Sequence, residues 1–456
     1  MSETEIKTAL EAIVGADNVT CDPNSLKAGS KDCYWFSPVL KSELEEMSAE
    51  FIVRPETVEE LKAIIKLAVA AGIPITPRGA GTGNYGQGIP LRGGIMVNTK
   101  RMNRILEIDA EKARAEAGVI LLQIETEARK LGAEMRFFPS TMPTSTAAGF
   151  VAGGSGGIGS IEWGMLFDEG NVLSATVVTI EEEPRELELT SWAELTDVIH
   201  NCGLTAFLVD VTFALAPKTD WHQYVVSYPD IVSALKGAEH FAYDTSIKKR
   251  LVTAFEWPIP SYFTPLVKRG ACPEGKAVLF LYLAEPPEVA AKWINETGGE
   301  PTLHIPPYER PRAGIEIYDF TWNHTTMWAI KADPSLTYLQ DQFQRDRLYE
   351  QLALRKERFG DQVLLHAEFS KARGEVRPGA LSIVRYESRD QLWEIIEFCE
   401  SIGIRVANPH THFLDDDVRW AGEHLLSAKN RWDPKGLLNP GHLRALEQAP
   451  AAAAGS

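Results

Sequence analysis

Three things are scarce in this chain, and each scarcity narrows what it can be. The first is paired cysteine: Cys21, Cys33, Cys202, Cys272 and Cys399 are scattered, with no CxxC among them. That pattern reads as reduced intracellular thiols, not as a disulfide framework or an iron–sulfur ligand set. Long apolar runs are the second. The most apolar early stretch, Ile64 to Ile75, carries Lys66 and two helix breakers, so it cannot span a bilayer. The opening MSETEIKTALEAIVG lacks the basic and apolar regions of a signal peptide. The expected address is the cytoplasm, with peripheral attachment to a membrane left open and no transmembrane segment. Positive charge is the third. A formal net charge of −17 repels a phosphate backbone, so no nucleic-acid partner is expected. An anionic ligand would have to be held by local dipoles and a few placed cations.

What is present is ordinary globular composition over 456 residues, enough for two or three domains. Glycine concentrates between Gly79 and Gly170, where backbone must approach a ligand or adopt positive φ. Thr57 and Glu60 have the spacing of a capping box, and Leu61, Ile64, Ile65 and Ala68 recur at helical spacing before Gly72. Ile73 to Pro77 and Ile95 to Asn98 read as strands flanking a glycine-rich loop, and Leu121 to Leu131 as a helix. Ser140 to Ser160 reads as a second long connection, and loops of such length inside a compact domain are usually functional. Ser174 to Ile180 and Arg185 to Thr190 resemble a hairpin, followed by an apolar strand from Ala206 to Leu215. Beyond Pro217, strand-like segments (Gln223–Tyr228, Ala277–Leu283, Val363–Phe369, Leu381–Tyr386, Ile404–Ala407) alternate with helical ones. That pattern suggests an α+β domain with helices on one sheet face. The tail Ala451 to Ser456 has the low complexity of a disordered segment.

Two segments match G-x-G-x-x-G: Gly81, Gly83 and Gly86, then Gly154, Gly156 and Gly159. A Rossmann fingerprint also needs a helix opening at the third glycine. The first runs into Gln87-Gly88-Ile89-Pro90 and the second into Ile161-Glu162-Trp163-Gly164, neither with helical character. Anion nests of successive backbone N–H groups fit better, since they need no net positive charge. Ser140, Thr141, Thr144, Ser145 and Thr146 add hydroxyl donors, and Arg78 adds a cation.

Pro77-Arg78-Gly79-Ala80-Gly81-Thr82-Gly83 with Gly86-Gln87 resembles the first pyrophosphate loop of the vanillyl-alcohol oxidase/p-cresol methylhydroxylase family of FAD enzymes. Pro139 and Ser145 to Gly157 resemble its second loop, and Gly164, Asp168, Asn171 and Val172 the element that follows. Gly203 to Thr212 is similar to the strand flanking the adenosine half of FAD, and Asp433 to Gly441 (DPKGLLNPG) to the C-terminal signature. The resemblance implies a two-subdomain PCMH-type FAD-binding domain over residues 1–217 and an α+β cap over 218–425. A segment 426–447 would return to the FAD domain, ahead of a disordered tail, 448–456. It implies cofactor contacts from Pro77, Arg78, Gly79, Ala80, Gly81, Thr82, Gly83 and Gln87 in the first loop. From the second come Pro139, Ser140, Thr141, Thr146, Gly149, Gly156, Gly157, Gly159, Ser160, Gly164 and Asp168, joined by Val209 and Asn439. Where many relatives carry the histidine that attaches FAD covalently, this chain has Thr82, so dissociable FAD is expected.

Members acting on glycolate and D-lactate resemble it best. The expected reaction is oxidation of a small D-2-hydroxy acid by hydride transfer to flavin N5, with another alcohol (a sugar or polyol) or an electron-transfer subunit as alternatives. The electron acceptor is open, and a homodimer is one allowed arrangement. Histidine suits the base that takes the hydroxyl proton. His410 and His412, one residue apart after a strand-like run, would face one side in extended geometry, and His366 and Glu368 share that spacing. His324 lies in a polar-aromatic stretch. The catalytic candidates are therefore His410, His412, His366 and His324, with His366, Glu368, His410 and His412 as a set that could hold a divalent metal. Those relatives carry a second histidine and a glutamate–histidine–glycine element; Ser382 and Asn408-Pro409-His410-Thr411-His412 stand in their places here. His200, His222, His240, His304 and His424 read as background. Arg310, Arg312 and Arg385 are candidate carboxylate clamps, and Asp415-Asp416-Asp417 reads as an acidic helix start.

Overall fold

The computed structural model describes residues 1–415 and 423–447. The tail expectation, and Asp416 and Asp417, lie outside the described residues.

The first sheet is built around three parallel strands, Phe51–Val53, Ile75–Arg78 and Ile95–Asn98, with Ile95–Asn98 in the middle. Helix Val58–Ala71 covers them by burying Leu61, Ile64, Ile65, Ala68 and Val69. Its ends are set locally. Thr57 Oγ1 accepts the Glu60 amide at 3.1 Å, and Gly72 closes the helix at φ 67°. The capping box is only half formed, because the Glu60 carboxylate takes the amide of Glu56 instead of Thr57. Residues from the far end of the chain extend this sheet: Ile75 N donates to Leu437 O and Asn439 N to Ile75 O, at 2.8 and 2.7 Å.

The second sheet is antiparallel and centred on the long strand Phe207–Pro217, which pairs with Lys112–Glu116 on one side and Val172–Val178 on the other. Val172–Val178 pairs in turn with Glu186–Leu189, giving the expected hairpin. The second glycine segment is more ordered than its composition implies. Ala147–Gly153 forms a short helix capped by Thr146 Oγ1, and Ser160–Trp163 a single turn opening at Gly159. Burial of Ala147, Ala148, Phe150 and Val151 outweighs the low helix propensity of glycine there.

After Pro217 the chain enters an eight-stranded sheet that begins at His222. An interior strand of it, Ala277–Leu283 (AVLFLYL), is buried throughout because both faces are covered. Val278, Phe280 and Tyr282 join the core shared with the second sheet. Leu279, Leu281 and Leu283 join a core with helices Ile231–Tyr243, Pro287–Glu296 and Arg389–Ser401. The period of two thus separates a helix-covered face from one turned to the glycine loops. The expected strand Val363–Phe369 divides: Val363–Leu364 joins a small three-stranded sheet, and His366–Ala372 the large one.

Candidate functional site

A cavity of about 1020 Å³ lies between the glycine loops and the large sheet. Pro77 through Gly83 and Gln87 form part of its wall, as do Pro139, Ser140, Thr141, Thr146, Gly149, Gly156 and Asp168. The two loops meet closely: a Cβ on Gly79 would fall 2.3 Å from Thr146 Oγ1. Hydroxyls form a chain across them, Thr82 Oγ1 to Ser145 Oγ at 3.2 Å and Ser145 Oγ to Thr141 Oγ1 at 2.7 Å. Arg78 lines the cavity, but its guanidinium is engaged by backbone carbonyls, donating to Lys31 O in the N-terminal segment and to Gly88 O (3.4 Å) in the loop. Asp32 lies beside it, and burial pushes that carboxyl up to about 6 against the pull of Arg78. An anion here would be met chiefly by backbone N–H and hydroxyl donors. These features fit the pyrophosphate of a dinucleotide cofactor.

Gly157, Gly159, Ser160, Gly164, Val209 and Asn439 are not part of the cavity wall. Gly157 and Gly159 serve packing, since Cβ atoms there would sit 2.0 Å from Phe138 O and 2.1 Å from Arg136 O. Ser160 Oγ accepts the Gly157 amide at 2.9 Å, and Val209 belongs to the core beneath the first sheet. Gly164 turns at φ 83° against Asp168. Asn439 braces the wall from behind, donating to Gln87 O at 2.8 Å and Cys202 O at 3.0 Å.

The opposite wall follows from strand register. Glu368 pairs with Gly379, Gly379 packs beside Gln342, and Gln342 pairs with Arg405, so these four share one face; Ser370 pairs with Arg377 on the same face. All six line the cavity, with Trp322, Asn323 and Gln340. Glu368 is held by three donors. Its Oε1 accepts Trp322 N at 2.7 Å and faces His366 Nε2 at 2.8 Å, and its Oε2 accepts from Thr253 Oγ1. His366 is fully buried behind it and stacked on Phe255 at 4.6 Å.

The histidines do not assemble as one set. The strand before His410 stops at Ala407, and Asn408 Oδ1 accepts the His410 amide at 2.9 Å, so Asn408-Pro409 turns the chain. The same-face argument for His410 and His412 therefore fails. His410 is buried, with Nδ1 at 2.8 Å from Ser37 Oγ and Nε2 at 2.8 Å from Tyr338 O, while His412 lies near Glu43. Neither lines the cavity. His324, on helix Asn323–Ala332, also lies off the wall, and burial lowers its pKa. The metal set His366, Glu368, His410 and His412 is split between two places, and among the described residues no three His, Cys, Asp or Glu side chains converge on a metal site. Arg310, Arg312 and Arg385 are absent from the cavity; Arg312 pairs with Asp319 at 2.8 Å and Arg385 with Asp333 at 3.5 Å. Asp415 caps a different helix, accepting the amides of Arg444 and Ala445. The cavity instead recruits Arg373, Arg377, Arg405, His200 and His424. Strand register would have found Arg377 and Arg405; no local signal marks the two histidines.

Fold and cavity together define a protein with an FAD binding domain: residues 49–187 match the FAD_binding_4 family model, described as an FAD binding domain. Curated relatives agree. An uncharacterised FAD-linked oxidoreductase of Mycobacterium tuberculosis is 27% identical over 39% of this chain and 40% of its own length. The D-lactate dehydrogenase of Archaeoglobus fulgidus is 35% identical over 25% of this chain and 26% of its own length. The glycolate oxidase subunit GlcD of Bacillus subtilis is 34% identical over 26% and 25%. Each match thus spans less than half of the relative. Among solved structures, an alkyldihydroxyacetonephosphate synthase superimposes with a TM-score of 0.72 at 15% identity, over 96% of this chain and 86% of that one. p-Cresol methylhydroxylase does so with 0.65 at 15%, over 96% of both chains. The fold is therefore the PCMH-type one, with two FAD-binding subdomains and an α+β cap. Among the described residues no helix is long and apolar enough to cross a membrane.

Proposed function

We propose that this chain is an FAD-dependent oxidoreductase that oxidises a small D-2-hydroxy acid of the glycolate or D-lactate type. The observation that carries the reading is the cavity itself, with two glycine loops on one wall and Glu368, backed by His366, on the other. Pro77 to Gly83, Ser140, Thr141 and Thr146 hold the cofactor without a covalent bond, because Thr82 offers only a hydroxyl, already paired with Ser145. When bound, FAD supplies the two-electron acceptor.

The rest falls to side chains. Glu368 takes the proton of the substrate hydroxyl, a role for a positioned carboxylate within reach of the cavity. His366 Nε2 donates to Glu368 Oε1 and the Trp322 amide fixes the same oxygen, so the carboxylate has one orientation. Arg377 and Arg405 give the cavity-facing side of the sheet a positive end for the substrate carboxylate. A second reading, oxidation of an uncharged sugar or polyol, is favoured by the neutral amides of Asn323, Gln340 and Gln342 on the same wall.

The test is an absorbance spectrum of the purified protein before and after anaerobic addition of glycolate or D-lactate. Bleaching of flavin bands by either acid, with colour released on acid precipitation, is the expected result. Bands that respond only to polyols move the substrate to the second reading, and bands that never form with added FAD overturn both.

A further inference from the structure

His410 lies off the cavity wall with both of its ring nitrogens engaged. Tyr338 O can only accept, so His410 Nε2 carries the proton and donates to it at 2.8 Å. Nδ1 is then bare and accepts from the Ser37 hydroxyl at 2.8 Å. Ser37 Oγ in turn accepts the Leu40 amide at 3.1 Å as the N-cap of helix Pro38–Leu44. The ring is thus a neutral imidazole in one tautomer, and burial, which pushes its pKa down to about 4, keeps it so near neutral pH.

What the ring grips matters. Tyr338 lies in an extended run, Leu336 to Gln342, that belongs first to the small sheet and then to the large one. On one side this run is pinned by His410 and by Thr337 Oγ1 donating to Phe36 O at 2.7 Å. On the other it touches the first glycine loop directly. Asn84 Nδ2 donates to the Tyr338 hydroxyl at 2.5 Å, and Gln340 Nε2 to the Tyr85 hydroxyl. Asn84, Tyr85 and Gln340 all line the cavity.

We propose that His410 is a positioning residue for the cofactor: by fixing the Tyr338 carbonyl it holds the cap strand against Asn84 and Tyr85, and so sets the shape of the first glycine loop and its grip on FAD. The inference rests on FAD binding but not on any substrate. Its readout is FAD affinity, followed by flavin fluorescence on titrating apoprotein with FAD, beside the melting temperature of the apoprotein. His410→Phe keeps the bulk and removes both hydrogen bonds, and Tyr338→Phe removes only the hydroxyl that Asn84 reaches. Each should raise the FAD Kd about tenfold, the scale of one lost buried hydrogen bond. Their effects should not add, since they break one chain of contacts. His410→Gln, whose amide can donate to Tyr338 O and accept from Ser37, should restore most of the affinity. An FAD Kd within twofold of wild type in Tyr338→Phe overturns the proposal, as does His410→Gln binding FAD as weakly as His410→Phe. If His410→Phe does not fold, Tyr338→Phe and Asn84→Ala decide the matter by the same Kd. Normal FAD affinity in all variants with no response to hydroxy acids would sink the substrate reading and this one for separate reasons.

Discussion

The two walls of the cavity are built on different principles. The loop wall is mostly backbone, where glycine lets Gly79 close on Thr146 and hydroxyls supply the donors. The cap wall is mostly side chain, projected from an antiparallel sheet whose register places Glu368, Gly379, Gln342 and Arg405 in one row. A backbone wall recognises a group common to many cofactors and tolerates almost no added atoms. A side-chain wall can be rewritten one residue at a time, because replacing a side chain leaves the strand beneath it in place.

If that division holds, a change on the cap wall should remove chemistry and leave colour. Glu368→Gln keeps the shape and removes the charge, so flavin reduction by the substrate should fall 10²–10⁴-fold, roughly the contribution of a general base. The absorbance of the oxidised flavin should be unchanged; a rate within a few-fold of wild type would take Glu368 out of catalysis. A change on the loop wall should do the reverse. Gly79→Ala forces Thr146 away, an overpacking cost of about 1–3 kcal/mol, and the protein should purify with little FAD while its circular dichroism spectrum is kept. Full FAD occupancy would mean the loops have more room than their contact implies.

Away from either wall, acid should act through buried histidines. Burial holds His410 and His442 at about 4, below the usual 6.5. The unfolded chain therefore takes up protons before the folded one, and stability should fall as pH drops from 6.5 to about 4. The loss is on the order of 3 kcal/mol for each ring as an upper scale. Asp32, raised to about 6, works in the opposite sense: its folded form prefers the proton, so it recovers stability as pH falls through 6. Replacing His442 should flatten the acid limb of the melting curve, because it removes one of the groups that favour the unfolded chain there. The smallest effect belongs to Gly72→Ala. A Cβ there meets nothing within 4 Å, so only the left-handed φ of 67° is strained, at about 1 kcal/mol, with FAD binding untouched.

The same contrast explains what was legible in the sequence. Thr57 and Gly72 mark helix ends because caps are local chemistry, and the first glycine loop announces itself by composition. His366 and Glu368 were readable as same-face neighbours because their strand continues through both. His410 and His412 were not, because Asn408 and Pro409 end the strand and turn the chain before them. The helix Ala147–Gly153 was hidden for another reason: its glycines argue against helix, and only the packing of Phe150 and Val151 decides in its favour. Arg405 reaches the cavity by pairing with Gln342, on a strand far away in sequence that no local window contains, whereas Arg377 faces Ser370 across a tight hairpin.

The peptide Leu437–Asn439 along strand Ile75–Arg78 has a consequence for the order of assembly. Asn439 and Gln87 are 352 positions apart, so the brace behind the first glycine loop exists only once nearly the whole described chain has left the ribosome. Domains generally condense from the N-terminal end during synthesis. This one would wait, its first sheet folded but its loop slack, until the last strand-like peptide arrives. A chain ended near residue 430 would lack Asn439 and with it both hydrogen bonds that brace the loop from behind.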